Sequence, residues 1–278
     1  MIKIVSWNIN GRQSLWSSVS ALKDELNVDA VLLQEAPRPP LGLPVLVDIE
    51  TPWTTVGSGK SWRTAVAALS EKVQLKTKTV KSIDQAARGE IRVSRPGTLA
   101  VGEITLPETN EVITLISMYS VWESPAAETG SSWIYADASA HRLISDISAL
   151  IGRQSGHKII AAGDLNILCG YGEGGSQYWA GRYETFFSRM EAIGLKFVGP
   201  QAPTGGLQAN PRPFELPENS RNVPTFRNNR KLPETAFRQL DFVFASSALR
   251  HRINVRALNS KTEWGASDYC RILIELSK

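Results

Sequence analysis

Six short segments carry the residues able to do chemistry. Asn8, Asn10 and Arg12 lie in Trp7-Asn8-Ile9-Asn10-Gly11-Arg12, and Gln34-Glu35 ends an apolar run. Tyr119 follows a second apolar run, and Asp164 and Asn166 lie in Gly163-Asp164-Leu165-Asn166. Asp241 stands in Leu240-Asp241-Phe242, and Asp268 precedes Tyr269 in Ser267-Asp268-Tyr269-Cys270. Brought together, carboxylates and carboxamides offer hard oxygen ligands to Mg²⁺ or Mn²⁺. Each segment alone also has a plainer reading. Asn10-Gly11 and Gly163-Asp164 read as turns, Trp7 and Tyr119 as packing, Glu35 as a solvated strand end, and Asp268 as a turn residue. Asp241 is the exception, because a carboxylate inside an apolar strand needs a partner.

The elements that must position these residues are strands. Residues 3–7, 30–33, 65–69, 158–162, 240–245, 253–257 and 272–276 read as strands, and 99–106 with 112–117 as a hairpin. Helical spacing predicts helices over 17–26, 136–151 and 183–193, the last closed by Gly194. Residues 195–233, rich in Pro, Gly, Asn and Arg, are expected to form a long surface loop. Hairpins mixed with crossover-length connections predict an α/β fold, a four-layer sandwich of two mixed β-sheets flanked by helices. The candidate residues then fall at strand ends, where loops converge over a rigid base.

Composition narrows the setting. A chain of 278 residues without repeats or low-complexity linkers is expected to form one domain over 1–278. A formal net charge of +4 suits a polyanionic partner without naming one. Two cysteines are too few for a disulfide framework, and the opening MIKIVSWN is too short for a signal peptide. No run approaches a membrane span, so the expectation is a cytoplasmic monomer without membrane contact. Gly57-Ser58-Gly59-Lys60-Ser61 has the tail of a nucleotide-binding P-loop. Thr54 stands where its first glycine belongs, and a strand rather than a helix is expected next.

In order and context, the six segments resemble the endonuclease/exonuclease/phosphatase superfamily, whose pattern runs WN, QE, a tyrosine after a central strand, GDxN, a late aspartate and SDH. The resemblance spans nearly the whole chain and implies a metal-dependent phosphodiesterase using Mg²⁺ or Mn²⁺. It assigns Glu35 to the metal, with Asn8, Asn10 and Asp268 in or near its shell. It makes Asp164 the group that orients or deprotonates water, and gives Asn166 and Tyr119 contacts to the scissile phosphate. Asp241 would steer the SDH histidine, but Tyr269 stands in that place, and His141, His157 and His251 match no family position. The exonuclease III-like start fits Asn8 to Gly11, whereas the aromatic segment before the late aspartate keeps only Thr225-Phe226. A nuclease acting on DNA or RNA is the leading expectation, with Arg12, Arg221, Arg227 and Arg230 as substrate contacts. The alternatives are a weak or inactive relative that binds nucleic acid, and a small-molecule phosphatase or phospholipase of the same fold.

Overall fold

The computed structural model describes residues 1–57, 59–123, 136–152, 156–228 and 231–277. The first half of the chain forms β1 (Ile2–Asn8), α1 (Leu15–Leu26), β2 (Ala30–Ala36), β3 (Leu46–Val47), β4 (Arg63–Ala68), β5 (Gln74–Lys78), β6 (Val80–Ser82), β7 (Ile91–Val93), β8 (Leu99–Leu106) and β9 (Glu111–Tyr119). The second half forms α2 (Ala136–Ser148), β10 (Ile159–Asp164), α3 (Gln177–Ala192), β11 (Leu195–Gly199), β12 (Asp241–Ser246), β13 (Ile253–Leu258) and β14 (Arg271–Leu276). One six-stranded sheet has the order β13-β14-β1-β2-β4-β3, and the other β11-β12-β10-β9-β8-β5. Each is mixed. The first contains one parallel pair, β1 with β2, and the second contains β9 with β10.

Side-chain alternation along the strands sorts the core into layers. Ile4, Leu32, Ile160, Val243, Ile272 and Ile274 point into a shared interior between the sheets. Their neighbours Val5, Trp7, Val31 and Leu33 pack outward with Leu15, Trp16, Val19 and Leu22 of α1. On the other sheet Ile116, Met118, Phe242 and Phe244 join Leu143 and Ile147 of α2 and Phe186 and Met190 of α3. Phe186 meets Phe244 edge-on at 5.8 Å between ring centroids. Truncating a ring of this kind typically costs about 3–5 kcal/mol. The expected four-layer sandwich is therefore present. Among the described residues no helix is long and apolar enough to cross a membrane.

Several elements depart from expectation, among them the short strands β3, β5, β6 and β7, none of which was expected. Residues 195–233 are not all loop, because Leu195–Gly199 is β11, the edge of the second sheet against β12. Its Phe197 packs against Phe242 at 5.7 Å, and that edge packing outweighs the weak strand signal of so short a run. Helix α3 starts at Gln177, six residues before the predicted start, where the Ser176 side chain accepts the Trp179 backbone N–H. In the Gly57–Ser61 region, Thr55 and Lys60 form an antiparallel bridge, and β4 follows as a strand. Ser58 lies outside the described residues.

Candidate active site

Strand register assembles the site before any side chain is considered. In the second sheet Asp164, the last residue of β10, pairs with Tyr119 on one side and Asp241 on the other. This close approach depends on Gly163. A Cβ there would lie 1.8 Å from the Met118 carbonyl oxygen, so any side chain would push β9 away from β10. In the first sheet Asn8 ends β1 opposite Gln34 of β2. The β2–β4 register then shifts between Leu33 and Ala36, a bulge that re-aims Glu35. Glu35 carries the signature of that re-aiming, a left-handed backbone with φ 47°. Asn10 and Asn166 are left-handed too, at φ 49° and 51°. Asparagine tolerates that region, whereas a glutamate there stores strain, which a packed site must hold in place.

Asn8 joins the two sheets. Its fully buried carboxamide donates to Glu35 Oε1 at 3.1 Å and to Asp164 Oδ2 at 3.0 Å. Its oxygen accepts the Asn10 backbone N–H at 2.9 Å. Asn10 in turn donates from Nδ2 to Asp268 Oδ2 at 2.8 Å. Ser267 fastens the last segment, donating to the Asn8 carbonyl at 2.7 Å and lying 3.1 Å from Asp268 Oδ1. On the Asp164 side, the Asn166 backbone N–H donates to Asp164 Oδ1 at 3.1 Å, and its carboxamide donates to the Ser120 carbonyl at 2.9 Å. The Tyr119 hydroxyl sits between the Glu35 carboxylate and the Asn166 carboxamide.

Tyr269 is buried and anchored through its backbone. Trp7 Nε1 donates to its carbonyl at 3.1 Å, and its ring lies 4.9 Å from that of Phe226. Its hydroxyl reaches Asp164, not Asp241. Asp241 is left in an unusual state. It is 1% exposed, Thr225 approaches it, and neither carboxylate oxygen receives a well-formed hydrogen bond. The Thr225 hydroxyl instead accepts the backbone N–H groups of Leu240 and Asp241 at 2.9 and 3.1 Å.

Four carboxyl groups thus share a small, poorly solvated space. Burial, with the charges of Asp241 and Glu35, pushes Asp164 well above the usual carboxylate range. Burial and the Asp268 charge push Asp241 up to about 7. Glu35 is raised by burial and by Asp268, against the opposing pull of Asn8, Tyr119 and Lys60. The same burial and negative charge raise both phenols, so Tyr119 and Tyr269 are neutral hydrogen-bond donors at physiological pH.

This excess of negative charge is the observation that fits a cation. Among the described residues no three His, Cys, Asp or Glu side chains are grouped to hold a metal by themselves. Glu35 and Asp268, with a carboxamide oxygen such as that of Asn10, form the available donor set. Two carboxylates completed by water are a common Mg²⁺ arrangement. Asn8 is differently placed, since its amide donors face the carboxylates and its oxygen is taken by Asn10.

The basic candidates separate. Arg12 lies at the site's edge, donating to the Ala266 carbonyl at 3.3 Å. Arg227 lies beside it, with its backbone N–H on the Asp268 carbonyl at 2.9 Å and its guanidinium 3.3 Å from the Ser267 carbonyl. Arg221 lines a different cleft, with Cys169, Phe197 and Gln239, and donates to the Ala202 carbonyl. Arg230 lies outside the described residues. The histidines are elsewhere: His141 lies on α2 against Thr185 and Arg189, and His157 and His251 precede β10 and β13. Sequence reasoning missed Lys60, whose charge acts on Glu35, and Trp62, whose ring meets Tyr119 edge-on at 5.1 Å. The glycine-flanked turn that holds Lys60 was visible in the sequence; its position over Tyr119 was not.

Solved structures resembling this fold include the endonuclease domain of TRAS1, a telomere-specific non-LTR retrotransposon. It is 14% identical over 99% of this chain and 98% of that one, with a TM-score of 0.61. An AP endonuclease from Leishmania major is 15% identical over 100% of this chain and 88% of that one, with a TM-score of 0.61. A 3′ phosphatase from Neisseria bound to product DNA hairpin is 16% identical over 100% of both chains, with a TM-score of 0.55. At such identities the likeness is one of fold. No curated protein matches the chain. The model described as "Endonuclease/Exonuclease/phosphatase family" matches residues 5–259, and with most of its length so matched the chain belongs to that family.

Proposed function

We propose that the protein is a divalent-metal-dependent phosphodiesterase that hydrolyses nucleic acid. The observation carrying this reading is the convergence of Glu35 and Asp164 on the Asn8 carboxamide and of Asp268 on the neighbouring Asn10, where both sheets end beside two neutral phenols. Glu35 and Asp268 would hold Mg²⁺ or Mn²⁺, which when bound supplies a Lewis acid for the phosphate oxygens. Asn8 holds Glu35 and Asp164 at fixed separation, a positioning role. Asp164, with its proton affinity raised by burial, accepts a proton from the attacking water. Asn166 and the Tyr119 hydroxyl donate to non-bridging phosphate oxygens, where charge accumulates as the bond breaks. Arg12 and Arg227 neutralise flanking phosphates. The similar structures support the nucleic-acid reading, because those described above are named for endonuclease action or for a bound DNA product.

A second reading has its own support. The Tyr269 hydroxyl is tied to Asp164 while Asp241 is left without a partner. A site so arranged lacks a cationic acid and suits a slow enzyme or a nucleic-acid-binding relative. One panel separates the readings: DNA, RNA, inositol phosphates and sphingomyelin, each with Mg²⁺, Mn²⁺ and EDTA. Metal-dependent cleavage of DNA or RNA supports the proposal. Binding without cleavage supports the second reading, and turnover of only the small substrates overturns both.

A further inference from the structure

A cleft of about 590 Å³ opens between residues 210–215 and 234–238, separate from the carboxylate cluster. Its walls include two aromatic rings left in solvent, Phe214 at 89% exposure and Phe237 at 43%. Large apolar side chains this exposed are informative when they line one concave surface instead of being scattered. Arg238 lies at the edge of the cleft, its guanidinium 5.5 Å from the Phe237 ring centroid. It is not available to a phosphate. Glu173 clamps it with two hydrogen bonds of 3.2 and 2.6 Å, and Glu215 stands 3.9 Å away. Glu215 and Glu234 also line the cleft. Glu234 also pairs with Lys261 at 3.2 Å, and Glu215 accepts the Gly174 backbone N–H at 2.9 Å. A flat ring bearing N–H donors would find two exposed aromatic side chains and carboxylate oxygens at its edge.

The cleft is connected to the site by backbone. Phe226 bridges antiparallel to Arg238 on one side and to Tyr269 on the other. Arg238 is therefore two strand spacings from Tyr269, on the order of 10 Å. That is within reach of a nucleotide adjoining one whose phosphate lies at Tyr119 and Asn166.

We propose that the Phe214–Phe237 cleft receives an unpaired nucleobase of the substrate strand, next to the scissile phosphate. This rests on the nucleic-acid reading above and adds a base-stacking subsite to it. The ring stacks on Phe214 and Phe237, and its amino group donates to Glu215 or Glu234. The subsite favours single-stranded or frayed substrate, because a base paired in a duplex cannot enter.

The test compares two strands of equal length and phosphate number, one bearing bases and one carrying abasic residues throughout. Fluorescence anisotropy in EDTA measures affinity without cleavage, for the parent and for Phe214→Ala/Phe237→Ala. The parent is expected to bind the base-bearing strand about tenfold tighter or more. The variant is expected to lose that preference while binding the abasic strand as the parent does, which a merely unfolded variant would not. A variant that keeps the preference, or a parent that shows none, overturns the subsite. Hydrolysis of bis(p-nitrophenyl) phosphate with Mg²⁺, a diester without a nucleobase, is followed alongside. Its absence in the parent counts against the phosphodiesterase reading and leaves the binding result to stand by itself.

Discussion

Asp241→Asn isolates the cost of the unpartnered carboxylate. The substitution keeps shape and removes the charge. The native carboxyl is pushed from its ordinary 3.8 up to about 7 by burial and by Asp268. Below about pH 4 the group is protonated in both folded and unfolded chains and contributes no pH dependence. Between about pH 4 and 7 the unfolded chain ionises and the folded chain resists, so the parent loses stability as pH rises. A rise of that size corresponds to at most about 4 kcal/mol, fully expressed above pH 7. Asparagine does not titrate, so the variant lacks this loss. Its own unsatisfied amide costs about 1–3 kcal/mol, but that cost is the same at every pH. The quantity to measure is therefore the change in the variant-minus-parent difference between pH 4.5 and pH 8, by urea unfolding in EDTA. The variant should gain several kcal/mol relative to the parent across that range. Parallel stability curves would refute the reasoning, showing that Asp241 has a counter-charge or is never ionised.

Other expectations concern turnover. Asp164→Asn should lower cleavage by about 10²- to 10⁴-fold with the fold intact, and a loss of only a few-fold by kcat would remove its proton-accepting role. Tyr269→His should raise activity near pH 7 by about 10²-fold, because an imidazole would supply the acid the phenol cannot and give Asp241 a partner. Parent and variant profiles from pH 6 to 9 on one oligonucleotide check this, and a variant no faster at any pH would mark Tyr269 as an adapted residue. Arg12→Ala/Arg227→Ala should flatten the log–log salt dependence of duplex binding by about two units, and an unchanged slope would return both to a structural role.

Much of this site was legible because its residues occupy strand ends in a characteristic order, and strands announce themselves by apolar runs. The inner strands of both sheets, the 99–117 hairpin and Asp241 as a buried carboxylate all follow from local pattern. What escaped is set by pairing across long sequence distances. The edge strand Leu195–Gly199 depends on Phe197 meeting Phe242, and no local signal predicts that neighbour. Arg221 read as one of a basic cluster because composition carries no direction, yet it lines another cleft. Lys60 and Trp62 come to Glu35 and Tyr119 only through the turn that β4 carries. The Tyr269 contact with Asp164 in preference to Asp241 likewise depends on how Phe226 and Trp7 fix its ring and backbone.

The central claim is that Glu35 holds the metal that makes the site a phosphodiesterase. It is tested by cleavage of one labelled single-stranded oligonucleotide across a Mg²⁺ titration, comparing the parent with Glu35→Gln, which keeps shape and hydrogen bonding to Asn8. The account predicts no cleavage in EDTA, saturable activation of the parent, and a variant whose activation shifts to at least about tenfold higher Mg²⁺, as expected when a charged ligand is lost. Cleavage by the parent in EDTA, or an identical activation curve for Glu35→Gln, would contradict it.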